Sequence, residues 1–198
     1  AGTGSSGYTI TGKKEAWDLY RSTVEQVTGE SAHPKDFNQF YSSLVAEQRK
    51  YVSSQGVTNQ MSPQDYTLRY VVSNMDATAD LKGKMGSYQN QVNQLIHDSG
   101  LDGKIGNSQI AKYVKGLAIN KTTMDDVNDA LRAQAQISFA PFAEDIKSNP
   151  NLTVKDIMAS YSNAYQQTFE TDSNIDLADV VKHATSQDGK KLLSLIHI

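Results

Sequence analysis

The sequence predicts an all-α protein, a multi-helix bundle of about eight short, separately capped helices. Three observations predict this fold class. One helix-opening pattern occurs four times, and apolar residues recur at intervals of three and four along most of the chain. The apolar fraction is only 38%, which favours thin helical layers over a deep core.

The helix-opening pattern consists of a capping residue, a starter, any residue, an aspartate and a large apolar residue. It occupies residues 33–37, 62–66, 123–127 and 153–157. A capping side chain accepts a backbone N–H at the helix start, and an acid at the third helical position complements the dipole. Pro34 and Pro63 suit the first helical position, where no N–H is needed. The pattern therefore predicts four helix starts, and it assigns the four aspartates to capping.

Apolar spacing predicts the remaining boundaries in the first half of the chain. The predicted helices there cover about 13–27, 34–51, 63–75 and 80–98, and Gly29 and Gly100 close the first and the last of them. Because the first two are joined by a short connection, they are expected to form an antiparallel hairpin. The single tryptophan, Trp17, is expected to be a core aromatic of this hairpin.

The second half of the chain continues the same pattern. A helix is predicted over about 108–119, and another begins at the Thr123 cap. Pro141 predicts a break near Phe139, followed by a helix over 141–147. The Thr153 cap opens a helix that reaches about Phe169, and a last short helix is predicted over about 177–184. A polar end follows.

Composition suggests a division of the chain into four parts. Residues 1–10 begin with a Gly/Ser-rich stretch typical of a flexible linker, 11–56 form the N-terminal hairpin, and 57–192 form the helical bundle. Residues 193–198 resemble a translated sequencing adaptor, so we expect this tail to be non-native. A genuine apolar C-terminal segment is the alternative.

A helical-repeat solenoid is the alternative architecture. The four capping patterns start 29, 61 and 30 residues apart, which fits a unit of about 30 residues with one copy missing. Residues 123–131 and 153–161 also align in their cap, aspartate and apolar positions. These are features that any helical protein shares, so the spacing leaves both architectures open.

Charge and composition argue against several partner classes. The net charge is −3 and no basic run is present, so no nucleic-acid partner is indicated. No stretch approaches the roughly 20 apolar residues of a membrane span. The chain has no cysteine, which removes disulfides, thiolate nucleophiles and cysteine-ligated zinc.

The histidines and acidic loops predict no metal or cofactor site. His33, His97 and His183 do not form a zinc-binding motif; His33 is interpreted as a turn and cap residue, and the other two lie near predicted helix ends. Residues 172–176 begin like a calcium loop, but Leu177 replaces the turn glycine and His183 replaces the bidentate glutamate. We therefore predict no metal and no cofactor.

The sequence contains few candidate catalytic residues. No nucleophile elbow, Walker motif or dinucleotide-binding fingerprint is present. Glu144 and Glu170 are the only glutamates near helix breaks where a cleft could form, so they are the candidate acids of a glycosidase-like site. Solvated acids on helices are the ordinary case. We therefore assign no catalytic and no cofactor-binding residue.

Two segments resemble virion proteins of tailed bacteriophages. The residues that carry the resemblance in the first segment are 29–37, Phe40, Tyr41, Leu44 and 47–49. In the later segment they are the run from Gly116 through the Thr123 helix, 140–142, Ile146, 153–157 and Tyr161. Family membership implies a structural component of the tail or an internal virion protein, such as a segment of a tape-measure-like polypeptide. It also implies a location in the virion, assembled in the host cytoplasm, and no catalytic residue.

The resemblance also defines the expected partners. They are other virion proteins or further copies of the chain, which would act together through protein–protein packing. The alternative function is a virion-associated cell-wall hydrolase or its accessory helical domain, with Glu144 or Glu170 as the acid.

Overall fold

The computed structural model describes residues 10–52, 60–169 and 177–195. Within these ranges the chain forms ten α-helices and one short 3-10 turn, with no β-strand, which confirms the predicted all-α class. The helices are α1 (Lys13–Thr28), α2 (Pro34–Val52), α3 (Pro63–Ser73), α4 (Gly83–Asp98), α5 (Asn107–Ala118), α6 (Met124–Ser138), α7 (Ala143–Ser148), α8 (Val154–Phe169), α9 (Leu177–Thr185) and α10 (Gln187–Leu195).

Three of the four predicted caps use their side chains. The Ser62 hydroxyl accepts the Asp65 N–H at 3.1 Å, and the Thr153 hydroxyl accepts the Asp156 N–H at 3.0 Å. Thr123 and Asp126 form a complete capping box, with two reciprocal bonds of 3.1 Å. At His33 the backbone carbonyl accepts, from the N–H groups of residues 36 and 37. The predicted starts of α2, α3, α6 and α8 are therefore confirmed.

The described residues fall into two compact units. The first unit comprises residues 1–90 and 107–122 and contains α1, α2, α3, α5 and the first half of α4. In it α1 packs on α3 and α2, and α3 also contacts α5. Seven rings from α1, α2 and α3 contact one another and form what we call the aromatic cluster: Trp17, Tyr20, Phe37, Phe40, Tyr41, Tyr66 and Tyr70. Trp17 lies in this cluster edge-to-face with Phe37, at 5.2 Å between ring centroids.

The second unit comprises residues 91–106 and 123–198. In it each helix from α6 to α10 packs against the next helix along the chain, and α10 also contacts α8. Its fully buried side chains include residues of α6, of α8 and of the segment after the Pro141 break: Leu131, Ala135, Phe142, Ile157, Met158 and Tyr161. The break itself is a 3-10 turn over residues 140–142, as Pro141 predicts.

Helix α10 was not predicted, because the last helix was expected to end at about residue 184 and to be followed by a polar end. Its sequence is weakly apolar, with Gln187, Asp188, two lysines and a glycine in its first turns. Gly189 is required by packing, because a Cβ there would collide with the carbonyl of His183 in α9. Leu192 is buried. This close approach of helix backbones leaves no periodic signal in the sequence.

Helix α4 begins three residues later than expected, at Gly83 instead of about Asp80. Gly83 has a φ of 60°, and a Cβ there would lie 2.6 Å from the backbone nitrogen of Gly29 at the end of α1. The Gln89 side chain holds the preceding segment by bonds to Leu81 N (3.1 Å) and Ala79 O (2.8 Å). Tertiary contact thus overrides the apolar spacing that starts at Leu81.

Several predicted boundaries lie outside the described residues. These are most of the linker over 1–10, the boundary between 56 and 57, the loop over 172–176, and residues 196–198 of the tail. Across the described ranges, no helix combines the length and apolar character required to cross a membrane.

Candidate functional site

A cleft opens in the first unit, where the end of α1, the start of α2 and the end of α3 meet. Its volume is about 390 Å³, near the lower end of the roughly 300–1,000 Å³ typical of small-molecule sites. Val24 and Val71 contribute apolar surface, and the polar contribution includes Tyr20, Tyr70 and Asp36. The cleft can therefore accept a small group that has both an apolar and a polar part.

Aromatic packing fixes the two tyrosine rings of the cleft. Tyr20 stacks on Phe40 with 4.8 Å between centroids, and Tyr70 meets the same ring edge-to-face at 5.2 Å. Phe40 is fully buried. Because both rings rest on one immobile side chain, the positions of the two hydroxyls are set by packing.

Neither tyrosine hydroxyl forms a hydrogen bond with any residue that the structure describes. Tyr20 is only 7% exposed. Burial, then the negative charge of Asp36, raises the pKa of both phenols, and Tyr70 adds to the effect on Tyr20. Both phenols therefore keep their protons at neutral pH and remain available as donors or acceptors in the electrostatic field of Asp36.

The charged residues of the cleft are acidic. Glu30 and Asp36 line it together with His33, and no Lys or Arg is among the described lining residues. Asp36 was predicted as a capping acid, and its place in the first turn of α2 confirms that position. The same carboxylate also faces the cleft, which gives it a second potential role.

The three histidines occupy the predicted kinds of position. His33 directly precedes α2, while His97 and His183 lie in the last turns of α4 and α9. The His97 ring contacts Asp102 at 2.9 Å through Nδ1 and Lys155 Nζ at 2.9 Å through Nε2. His97 and Asp102 are more than half exposed, as expected for a solvated surface network.

Of the two candidate acids, the structure describes only Glu144. Glu144 is exposed in the first turn of the short helix α7. Glu170, the other candidate acid, lies outside the described residues, as does the calcium-like segment 172–176. Among the residues placed by the structure, no three His, Cys, Asp or Glu side chains come together as metal ligands would.

Arg132 in α6 is an important residue that sequence reasoning missed. Its guanidinium donates to the carbonyls of Ile146 (2.6 Å), Asn149 (2.9 Å) and Leu152 (2.6 Å). These carbonyls lie in the last turn of α7, at its C-cap and in the turn before α8, where backbone acceptors lack helical partners. Arg132 thus holds the connection between α7 and α8, a structural role.

Within single helices Tyr20 and Tyr70 occupy apolar positions and His33 and Asp36 occupy cap positions, so no single-sequence signal assigns them to a site. Tyr20 and Tyr70 lie on the apolar stripes of α1 and α3, which are far apart in sequence. Only the packing of three helices brings the two tyrosines and Asp36 into the lining of one cleft. Compared with models of known protein families, with curated proteins and with solved structures, the chain matches none of them.

Proposed function

We propose that the chain is a structural component of a tailed-phage virion, in the tail or inside the particle, which acts by packing against other virion subunits. The supporting observation is the role of the residues that resemble phage virion proteins. Phe37, Phe40 and Leu44 are buried, and Thr123 and Thr153 cap helices. The resemblance thus concerns positions that build a helical packing module, which is what a structural subunit requires.

The genomic locus tests this proposal. Sequencing the complete reading frame and its flanks should place it among capsid, portal or tail genes. The same sequence would also test whether residues 193–198 are encoded by the natural gene. A locus within a metabolic operon would contradict the proposal.

A lysis assay separates the structural proposal from a cell-wall hydrolase. The purified chain, incubated with peptidoglycan, should release no soluble muropeptides above a buffer control. Release by the unaltered chain that is lost in Glu144→Gln, in Glu170→Gln or in both variants would contradict a purely structural role. Circular dichroism of each variant must show that its helices are retained.

A further inference from the structure

We propose that the cleft of the first unit binds an organic cation, an alkylammonium or guanidinium group carried on a short apolar stem. The inference goes beyond a structural role in a virion and does not depend on it. It rests on three properties of the cleft: the unpartnered hydroxyl of a tyrosine whose side chain is mostly buried, an acidic lining, and an apolar wall.

The Tyr20 hydroxyl is the observation that indicates a ligand. Tyr20 is only 7% exposed, it lines the cleft, and its hydroxyl has no hydrogen-bond partner among the described residues. The hydroxyl oxygen itself is not fully enclosed, so a group bound in the cleft can reach it. Because the Tyr20 ring is held by Phe37 and Phe40, the hydroxyl cannot turn away to find another partner. A ligand that donates to this oxygen would satisfy it.

The electrostatics of the cleft favour a cationic donor. Glu30 and Asp36 are both in the lining, and the charge of Asp36 acts on the phenols of Tyr20 and Tyr70. A protonated amine or guanidinium can donate to phenolic and carboxylate oxygens at once. An anionic ligand would face repulsion from both carboxylates, and a neutral ligand would gain less from them than a cation does.

The size and the walls of the cleft define the rest of the ligand. Val24, Val71 and Met75 provide apolar surface, and the volume of about 390 Å³ suits a group the size of a long side chain. Lysine and arginine side chains of a partner protein have this chemistry, and so do free polyamines. Both sources share an ammonium or guanidinium at the end of a methylene stem.

Titration of the purified chain by two-dimensional NMR tests the proposal. The probes are lysine and arginine with blocked termini, spermidine, and blocked norleucine as the neutral match of lysine, each at constant ionic strength. We expect saturable shifts of the Tyr20 and Tyr70 signals with at least one cation, with a dissociation constant on the order of millimolar, as for other small fragments. Preference for the blocked amino acids would indicate a protein partner, and preference for spermidine a free polyamine.

Two variants with matched controls localise the binding. Asp36→Asn and Tyr20→Phe should each weaken cation binding about tenfold. Asp65→Asn alters an aspartate at the same position of α3, again two residues after a proline, and Tyr113→Phe removes a tyrosine hydroxyl on α5; neither residue lines the cleft. Both controls should bind as the unaltered chain does.

Three results would overturn the proposal. They are the absence of a saturable shift at concentrations well above millimolar, equal binding of blocked norleucine, and a response that KCl alone reproduces. Circular dichroism of each variant verifies folding, and Tyr20→Phe removes a single oxygen, so its loss of binding cannot be ascribed to a cavity. Because the measurement uses the purified chain, a lack of cation binding would not contradict the virion proposal. A locus that contradicts the virion proposal would likewise leave cation binding open to this test.

Discussion

Tyr161 and Tyr41 show how differently two tyrosine hydroxyls can contribute to the same protein. The Tyr161 hydroxyl is fully buried in the second unit and has no hydrogen-bond partner within the described structure. The Tyr41 hydroxyl donates to the carbonyl of Thr11 at 3.1 Å. A buried hydroxyl without a partner opposes folding, whereas one that donates a hydrogen bond supports it.

Replacement of each tyrosine by phenylalanine tests this difference. We expect Tyr161→Phe to raise the free energy of unfolding by about 1 kcal/mol, since it removes an unsatisfied group and keeps the ring. Tyr41→Phe should lower it by about 0.5–1.5 kcal/mol. Urea denaturation followed by circular dichroism measures both. A clear loss of stability in Tyr161→Phe would show that this hydroxyl is satisfied after all.

The same hydroxyl predicts a loss of stability at alkaline pH. Burial, then the neighbouring Tyr165, raises the pKa of Tyr161 from 10.0 to about 12. Between pH 10 and 12 the unfolded chain has released this proton while the folded chain still holds it, so the free energy of unfolding falls as the pH rises. Below pH 10 both the folded and the unfolded chain hold the Tyr161 proton, so this loss of stability is absent there.

Denaturation at a series of alkaline pH values, with tyrosinate absorbance as a second signal, measures this slope. Tyr161→Phe should reduce the slope relative to the unaltered chain. The remaining slope should come from the other tyrosines with raised pKa values, which are Tyr20, Tyr66 and Tyr70. An identical slope in the variant would contradict the assignment to Tyr161.

Helix starts were predictable from the sequence because capping is local. A cap and its N–H donor lie three residues apart, so Ser62, Thr123 and Thr153 carry their own partners along the chain. The start of α4 and the existence of α10 were not predictable in this way. Gly83 and Gly189 have their places because of backbone atoms in other helices, and this information is not local.

Alanine substitutions at two predicted caps test their energetic weight. Thr123→Ala removes one side of a complete capping box and should lower the free energy of unfolding by about 1–2 kcal/mol. His33→Ala is the matched control, because the observed bonds at that cap involve its backbone carbonyl. It should change stability by less than about 0.5 kcal/mol. Similar losses in the two variants would contradict the distinction between side-chain and backbone caps.

One side chain contacts three carbonyls of the connection from α7 to α8. Arg132→Met keeps much of the apolar stem of the side chain but removes the guanidinium that donates to these carbonyls, and we expect a loss of about 2–3 kcal/mol. Arg69→Met, at an exposed position of α3, is the control and should be close to neutral. Amide hydrogen exchange should also become faster around residues 146–152 in Arg132→Met. Unchanged exchange there would show that the guanidinium does not hold the turn.

The apolar periodicity of the sequence predicts the fold class of the whole chain but not the way its helices are grouped into units. Apolar spacing predicted an all-α protein with several correct helices, because each stripe reports one buried face. The sequence did not predict how the helices are divided between the two compact units, one of which combines residues 1–90 with 107–122. The cleft escaped prediction for a related reason, since Tyr20, Asp36 and Tyr70 come from three helices. Each of these residues has a sufficient explanation within its own helix.

The function proposed for the chain concerns its assembly with other proteins, and the particle itself provides the most direct measurement. Virions from the source phage, purified by density gradient and digested, should yield peptides from residues 13–192 in constant ratio to known tail or internal proteins across the particle peak. Recovery of these peptides only from the soluble lysate, while capsid and tail proteins sediment with the particles, would contradict the proposal that the chain is a virion component.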